Sequence, residues 1–77
     1  MDPLIGSILL VPYNFVPEGW LPCDGRSIPV KHNEALYSLL GTRFGGDWNT
    51  SFNLPKLDAP DELRYIIAVQ GAYPSRS

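Results

Sequence analysis

The sequence predicts a small, β-rich α+β domain of short strands and irregular hairpins, with one short α-helix at about residues 33–40. Three observations lead to this fold class. The chain has 77 residues, a length that suits one domain, and we expect residues 1–77 to form it. Eight prolines and seven glycines interrupt the chain, which favours turns and short strands. Only one segment carries apolar residues at helical spacing.

Two apolar runs predict buried strands. Residues 4–11 are apolar apart from one glycine and one serine, and Pro12 ends the run. Residues 64–70 contain the unbroken apolar stretch YIIAV. We expect each run to form a buried strand.

Residues 12–17 connect the first strand to the next part of the chain. Pro17 and Gly19 predict a type I turn at residues 16–19, because proline pre-sets φ near −65° and glycine suits the turn exit. This turn leads directly into Trp20.

The dipeptide Asp24-Gly25 is a hairpin signal. A two-residue type I′ turn needs positive φ at both central positions, which Asp and Gly tolerate. We therefore expect residues 20–23 and 26–30 to pair with each other. Each segment holds one proline without an amide hydrogen, which belongs at a sheet edge or a strand end; these are Pro22 and Pro29.

The predicted helix spans residues 33–40. Asn33 suits the N-cap, and Glu34 lies favourably in the first turn. Gly41 suits the left-handed position after the helix. A helix of this length needs tertiary packing to be stable. Four apolar residues share the face that would pack: Ala35, Leu36, Leu39 and Leu40.

Residues 41–53 predict a polar, exposed loop. Gly45 and Gly46 indicate a tight turn and not a phosphate-binding loop, since the Gly-Lys-Ser/Thr ending and the preceding strand are missing. Residues 52–54 predict a short extended segment that ends at Pro55.

Charge and composition exclude several classes of function. The formal net charge is −2 and the six basic residues are scattered, so we expect no nucleic-acid binding. No apolar stretch is long enough for a membrane span or a signal-peptide core. We therefore expect no membrane insertion, and a cytoplasmic location unless the chain is carried on a larger particle.

Few side chains offer chemistry. Cys23 and His32 are the single cysteine and histidine, and we interpret them as a small buried residue and a surface residue. Cys23, Asp24 and His32 lack zinc-ligand spacing, so we predict no metal and no cofactor. A trimer could still bring three copies of His32 together on its axis. Asp24 and Asp47 stand beside glycine, where we expect them to cap their own backbone and not to act as an acid/base pair.

The two tryptophans differ in context. Trp20 lies between a turn and an apolar strand, which predicts a core position. Trp48 lies on the polar loop, where an aromatic residue either recognises a ligand or folds back over the core. Trp48 and its neighbours Arg43, Asp47 and Asn49 form the candidate recognition loop.

The stretch PEGWLPCDGRSIP at residues 17–29 resembles the opening of the phage tail-collar domain, found in short tail fibres and in microcystin-dependent proteins. The likeness continues through NEALYSLL at 33–40, GTRFGG at 41–46 and TSFNLPKL at 50–57. The N-terminal IGSILLVPYNFVPEGW is similar to the family's lead strand, and YIIAVQGAYPSRS to the end of some longer members. The structural positions of this motif are Pro17, Gly19, Trp20, Asp24, Gly25, Gly41, Gly45, Gly46 and Pro55.

Three features depart from the family pattern. Trp48 stands where members more often have a small or polar residue, and Lys56 with residues 58–61 replaces the usual continuation after Leu-Pro. The long segment that precedes the C-terminal strand in larger members is absent, as are the fibre shaft and a distal receptor-binding region.

The resemblance implies a non-catalytic structural role in a phage tail or phage-derived particle, as a collar-like tail fibre, tip or adaptor module. It also implies a homo-oligomer, with a trimer as one form, and contacts with other tail or baseplate proteins. The alternative is a carbohydrate- or surface-recognition module that uses the loop around Trp48 to bind a cell-surface glycan.

Overall fold

The computed structural model of the chain describes residues 3–47 and 49–74. The elements in chain order are β1 (Ile8–Val11), β2 (Trp20–Pro22), β3 (Ser27–Pro29), α1 (Glu34–Leu40), β4 (Ser51–Asn53) and β5 (Arg64–Ala68). Mostly antiparallel short strands with one short helix confirm the predicted α+β class.

The five strands form two sheets. In the first sheet β5 lies between β1 and β2 and is antiparallel to both. The second sheet pairs β3 with β4, also antiparallel. Residues 64–68 thus form the buried strand that the apolar run predicts, with Ile66, Ile67 and Ala68 at most 1% exposed.

The core lies where β5, α1 and β4 meet. Its buried side chains are Cys23, Ile28, Leu36, Phe52, Leu54 and Ile67. Leu36 and Phe52 are fully buried, and the ring of Tyr37 packs against Phe52 with centroids 5.2 Å apart. The helix is therefore held by the buried Leu36, by the aromatic contact of Tyr37 and by Leu40, which also packs against the core.

The first strand is shorter and more exposed than predicted. Gly6 and Ser7 both face Ala68: the Gly6 N–H donates to the Ala68 carbonyl, and the Ala68 N–H donates to the Ser7 carbonyl. This is a β-bulge with glycine at its first position, where φ is +88°. Regular pairing begins only at Ile8. The prediction of a buried strand is wrong, because β1 is an edge strand and most of its side chains are exposed.

The predicted hairpin at Asp24-Gly25 is wrong. Strand β2 pairs with β5 and β3 pairs with β4, so the two strands flanking the dipeptide belong to different sheets. Gly25 has a φ of +82° but Asp24 does not have a positive φ, which excludes a type I′ turn. Pro22 and Pro29 do end their strands, as their missing amide hydrogens predict.

The turn before β2 begins one residue later than predicted. The Trp20 N–H donates to the Pro17 carbonyl at 3.1 Å, so Pro17 opens the turn. Gly19 occupies the third position with a φ of +88°, which is the conformation of a type II turn. The prediction of a type I turn with proline at the second position is therefore wrong.

Helix α1 lacks the predicted side-chain cap. The Asn33 side chain donates its amide to the Pro29 carbonyl at 2.9 Å and accepts nothing from the first helical turn. This contact ties the helix start to the end of β3. Gly41 does end the helix with a positive φ of 57°, and its N–H donates to the Tyr37 carbonyl.

Two leucines three residues apart test the position of the core. Leu54 is 1% exposed and Leu57 is 38% exposed. We expect Leu54→Ala to lower the free energy of unfolding by about 3 kcal/mol, because it leaves a cavity in the core. Leu57→Ala, the matched control, should cost less than about 1 kcal/mol. Urea denaturation followed by circular dichroism measures both, and equal losses would contradict this core.

Candidate functional site

The loop between α1 and β4 carries the candidate recognition residues and is organised by one carboxylate. One oxygen of Asp47 accepts hydrogen bonds from the backbone N–H groups of Asn49, Thr50 and Ser51 at 3.0, 2.8 and 2.9 Å. The Thr50 hydroxyl donates to the other oxygen. Asp47 therefore caps its own backbone, as its place beside glycine predicts.

These hydrogen bonds also set the charge state of Asp47. The Thr50 hydroxyl and the three backbone donors hold the pKa of this carboxyl well below its usual range, because each favours the ionised form. The side chain is thus negative throughout the physiological pH range.

The two glycines before Asp47 let the loop lie against β4. Gly45 and Gly46 have φ values of +114° and +132°. A Cβ added at Gly46 would lie 2.6 Å from the Ser51 carbonyl oxygen and 2.7 Å from the Phe52 Cα. The two segments lie side by side because the Asn53 N–H donates to the Gly45 carbonyl and the Asp47 N–H donates to the Ser51 carbonyl. The Gly45 N–H donates to the Thr42 carbonyl and closes a turn at residues 42–45, whereas Gly46 lies in an extended segment that bridges to Phe52, so the tight turn predicted for the pair ends at Gly45.

The remaining residues of the candidate recognition loop are only partly connected. Arg43, Asp47 and Asn49 are exposed on the same connection between α1 and β4. The structure shows Asn49 hydrogen-bonded to Asp47 through its backbone, but in residues 3–47 and 49–74 it shows no ion pair between Arg43 and Asp47. Trp48 lies outside the described residues, so its recognition role stays a prediction.

The segment at residues 17–25 forms part of the scaffold. Gly19 accepts hydrogen bonds from the N–H groups of Val69 and Gln70, which follow β5. Gly25 donates to the Pro55 carbonyl at 3.3 Å. These bonds hold the segment to both the end of β5 and the chain after β4.

The prediction that Trp20 is a core residue is wrong. Trp20 is half-buried in edge strand β2 and lines a shallow groove on the surface. The other residues that line this groove are Pro3, Glu18, Gly19, Gln70 and Gly71. The turn and the apolar strand that flank Trp20 in the sequence do not show that β2 is an edge strand. An edge strand leaves part of a large ring exposed.

Asp24 caps the chain after β2 and pairs with a cation. It accepts the backbone N–H of Arg26 at 3.1 Å and forms an exposed ion pair with the Arg26 guanidinium at 3.0 Å. The hydrogen bonds from that side chain lower the pKa of the Asp24 carboxyl. The carboxylate is thus engaged locally, and its surface ion pair contributes little to stability.

Cys23 and His32 have the placements that the sequence predicts. Cys23 is 4% exposed in the core, whereas His32 is exposed at a position with a φ of +70°. Burial, and then the nearby Asp24 carboxylate, raise the pKa of the Cys23 thiol to about 11. A thiol with this pKa is protonated near neutral pH and is a poor nucleophile.

One groove is not apparent from the sequence. It has a volume of about 620 Å³ and lies where the chain leaves β1 and enters β5. The rings of Tyr13 and Phe15 stack beside it with centroids 4.4 Å apart and an interplanar angle of 18°, and Phe15 is 62% exposed. The alternating Tyr-Asn-Phe in the connector was the available signal. The lining residues are Pro12, Tyr13, Asn14, Phe15, Glu62, Leu63 and Arg64.

Two kinds of feature are absent from the described residues. In residues 3–47 and 49–74, no three His, Cys, Asp or Glu side chains lie close enough together to hold a metal ion. None of the helices in this part of the chain has the length and apolar character needed to cross a membrane.

Alanine substitutions at Gly41 and Gly46 distinguish the free-energy cost of backbone strain from that of a steric collision. Gly41 has a positive φ with open space around it, whereas Gly46 faces the backbone of β4. We expect Gly41→Ala to cost about 1–3 kcal/mol of unfolding free energy from strain alone. Gly46→Ala should cost clearly more, because its Cβ also collides with backbone atoms. Equal urea midpoints for the two variants would show that the loop does not lie against β4.

The thiol of Cys23 should react slowly in the folded protein. At pH 8 a pKa of about 11 leaves about 0.1% thiolate. We expect iodoacetamide to modify Cys23 far faster in concentrated urea than in buffer, as followed by mass spectrometry. Because the folded pKa lies above the ordinary 9.0, the thiol's contribution to stability is present below about pH 9 and is lost towards pH 11. Equal rates in urea and buffer would contradict a buried thiol.

Comparison with known proteins identifies the kind of domain that carries these features. A family model described as Phage Tail Collar Domain matches residues 6–59, which include β1 to β4 and the helix. The search of curated proteins found no match.

Proposed function

Because the chain belongs to the phage tail collar domain family, we propose that it is a non-catalytic structural component of a phage tail or a phage-derived particle. In that role it acts as a collar-like tail fibre, tip or adaptor module. The observation that carries this proposal is the family match, which covers well over half of the 77 residues.

The uses of the motif residues support a structural role. Gly46 lies against the backbone of β4, and Gly19 holds the chain that follows β5. The carboxylates of Asp24 and Asp47 are occupied by neighbouring donors of the same chain. These residues of the family pattern therefore build turns and close contacts.

The surface of the domain supports assembly with other proteins. In residues 3–47 and 49–74, eight large apolar side chains are at least 38% exposed, and three of them are consecutive in β1. We propose that they contact further copies of the chain, a trimer among the forms, and other tail or baseplate proteins on the virion. These side chains are Leu4, Ile8, Leu9, Leu10, Phe15, Phe44, Leu57 and Tyr73.

Particle composition tests the structural proposal. We expect the chain to be present in purified, intact tails at a constant number of copies, as measured by quantitative mass spectrometry, and antibody-bound gold to label one position on the tail. Deletion of its gene should yield particles with incomplete tails. Normal, infectious tails without the chain would contradict the proposal.

We also propose, as an alternative function, that the loop holding Arg43, Asp47 and Asn49 recognises a carbohydrate or another cell-surface ligand through Trp48. The observation that favours it is the hydrogen-bonded Asp47, which holds the backbone beside Trp48 while Arg43 and Asn49 stay exposed. A hydrogen-bonded polar loop that carries aromatic residues is a suitable recognition surface.

A glycan array decides this alternative. We expect the wild-type chain to bind a subset of glycans and Trp48→Ala to lose at least tenfold in affinity. Phe44→Ala, which replaces an exposed aromatic ring on the same loop, is the matched control and should bind as the wild type does. Absence of binding by the wild type, or equal binding by Trp48→Ala, would remove this function.

A further inference from the structure

Strand β1 is an apolar edge strand that contains neither a charged residue nor a proline. Its residues Ile8, Leu9 and Leu10 are 42%, 48% and 43% exposed, and no residue of β1 is charged. Only β5 pairs with it, so its other edge is free in the described part of the chain. Natural proteins seldom leave such an edge open, because it is a template for pairing with another strand.

The register shows which backbone groups are open. The hydrogen bond from the Ala68 N–H to the Ser7 carbonyl makes these residues a bonded position opposite β5. In an antiparallel pair the bonded positions alternate, so Leu9 and Val11 also direct their peptide groups to β5. The N–H and C=O of Ile8 and Leu10 therefore point away from the sheet. No described residue bonds to them.

The other sheet edges of the described residues differ from β1. Strand β2 has three residues and ends in Pro22, and β3 ends in Pro29, so each lacks a donor. The last edge, that of β4, is covered by the extended segment at residues 45–47, in which Gly46 bridges to Phe52. Among the described strands, β1 alone combines an open edge, an apolar sequence and a complete set of donors.

We propose that β1 is a self-association edge, at which the β1 strand of a second copy of this chain adds antiparallel to the first. In the matching register Leu9 lies opposite Leu9 of the second copy, on the two-fold axis. Ile8 then lies opposite Leu10 of the second copy, and Leu10 opposite its Ile8. This proposal rests on strand geometry and does not depend on the tail function.

The strand is complementary to itself in this register. Ile8 and Leu10 are the residues with outward peptide groups, so each forms a bonded pair with the other residue of the second copy. This uses all the open groups of both strands in about four hydrogen bonds. Because β1 carries no charge, like charges do not oppose each other across the axis. The two three-stranded sheets become one continuous sheet.

The size of the contact sets its strength. A pairing of two four-residue strands buries less surface than a standard interface, so we expect a weak dimer with a Kd of about 10–500 µM. Tethering many copies on one particle raises the effective concentration to the millimolar range, where such a contact is occupied.

Disulfide trapping tests the register directly. Residues at an unbonded antiparallel position have Cα atoms about 4.5 Å apart, within the range of a disulfide. We expect Leu9→Cys to form a covalent dimer rapidly under mild oxidation. Leu10→Cys should not, because its two copies lie diagonally at about 8 Å. Leu57→Cys, at an exposed position beside Cys23 beyond the opposite edge strand β2, is the control for random collision. All variants carry Cys23→Ala, because the Leu57 N–H donates to the Cys23 carbonyl and a cysteine at position 57 would otherwise lie within disulfide reach of Cys23.

Sedimentation equilibrium on the unmodified chain completes the test. We expect the average mass to rise from 8.6 kDa towards twice that value between 10 µM and 1 mM. Leu9→Lys should stay at the monomer mass, because two like charges meet on the axis, whereas Leu57→Lys should associate like the wild type. Circular dichroism verifies that both variants are folded.

Three results would overturn the proposal. They are a wild-type chain that is monomeric at 1 mM, Leu9→Cys that cross-links no faster than Leu10→Cys or Leu57→Cys, and association, dimeric or trimeric, that Leu9→Lys leaves unchanged. None of these results bears on whether the chain is found in tails, which particle composition tests separately.

Discussion

The position of β5 between β1 and β2 is the constraint on which the rest of the structure depends. The two outer strands come from the first part of the chain and do not touch each other as a pair; each is hydrogen-bonded to β5. Ile67 also joins the core that holds the helix and β4. A strand near the C-terminal end therefore closes a fold whose other elements precede it, and most of its stabilising contacts are long-range.

The family match ends before β5, the strand on which the sheet depends. The matched residues 6–59 contain β1 to β4 and the helix, whereas β5 lies outside the match at Arg64–Ala68. The matched part thus supplies two strands that would lack their common partner. In this chain a segment of only a few residues separates the match from β5, so the sheet is completed locally.

The sequence predicted the elements of the fold better than their partners. The unbroken apolar run of β5, the helix with its terminal glycine and the self-capping Asp47 follow from short-range rules, and the structure has them. The prediction of a hairpin at Asp24-Gly25 is wrong because β2 pairs with β5, which is distant in the chain. The exposure of β1 and Trp20 was missed for a related reason. An apolar run shows that a strand prefers burial, but not whether it receives one neighbour or two.

The central role of β5 is tested most directly by native-state hydrogen exchange, measured residue by residue by NMR. The account predicts that the β5 amides bonded to β1 and β2 exchange only through global unfolding, with the largest protection of any element. The helix amides should exchange at similar or lower protection, because α1 loses part of the core that holds it when β5 is released. Slow exchange in α1 or β4 together with rapid exchange in β5 would contradict the account.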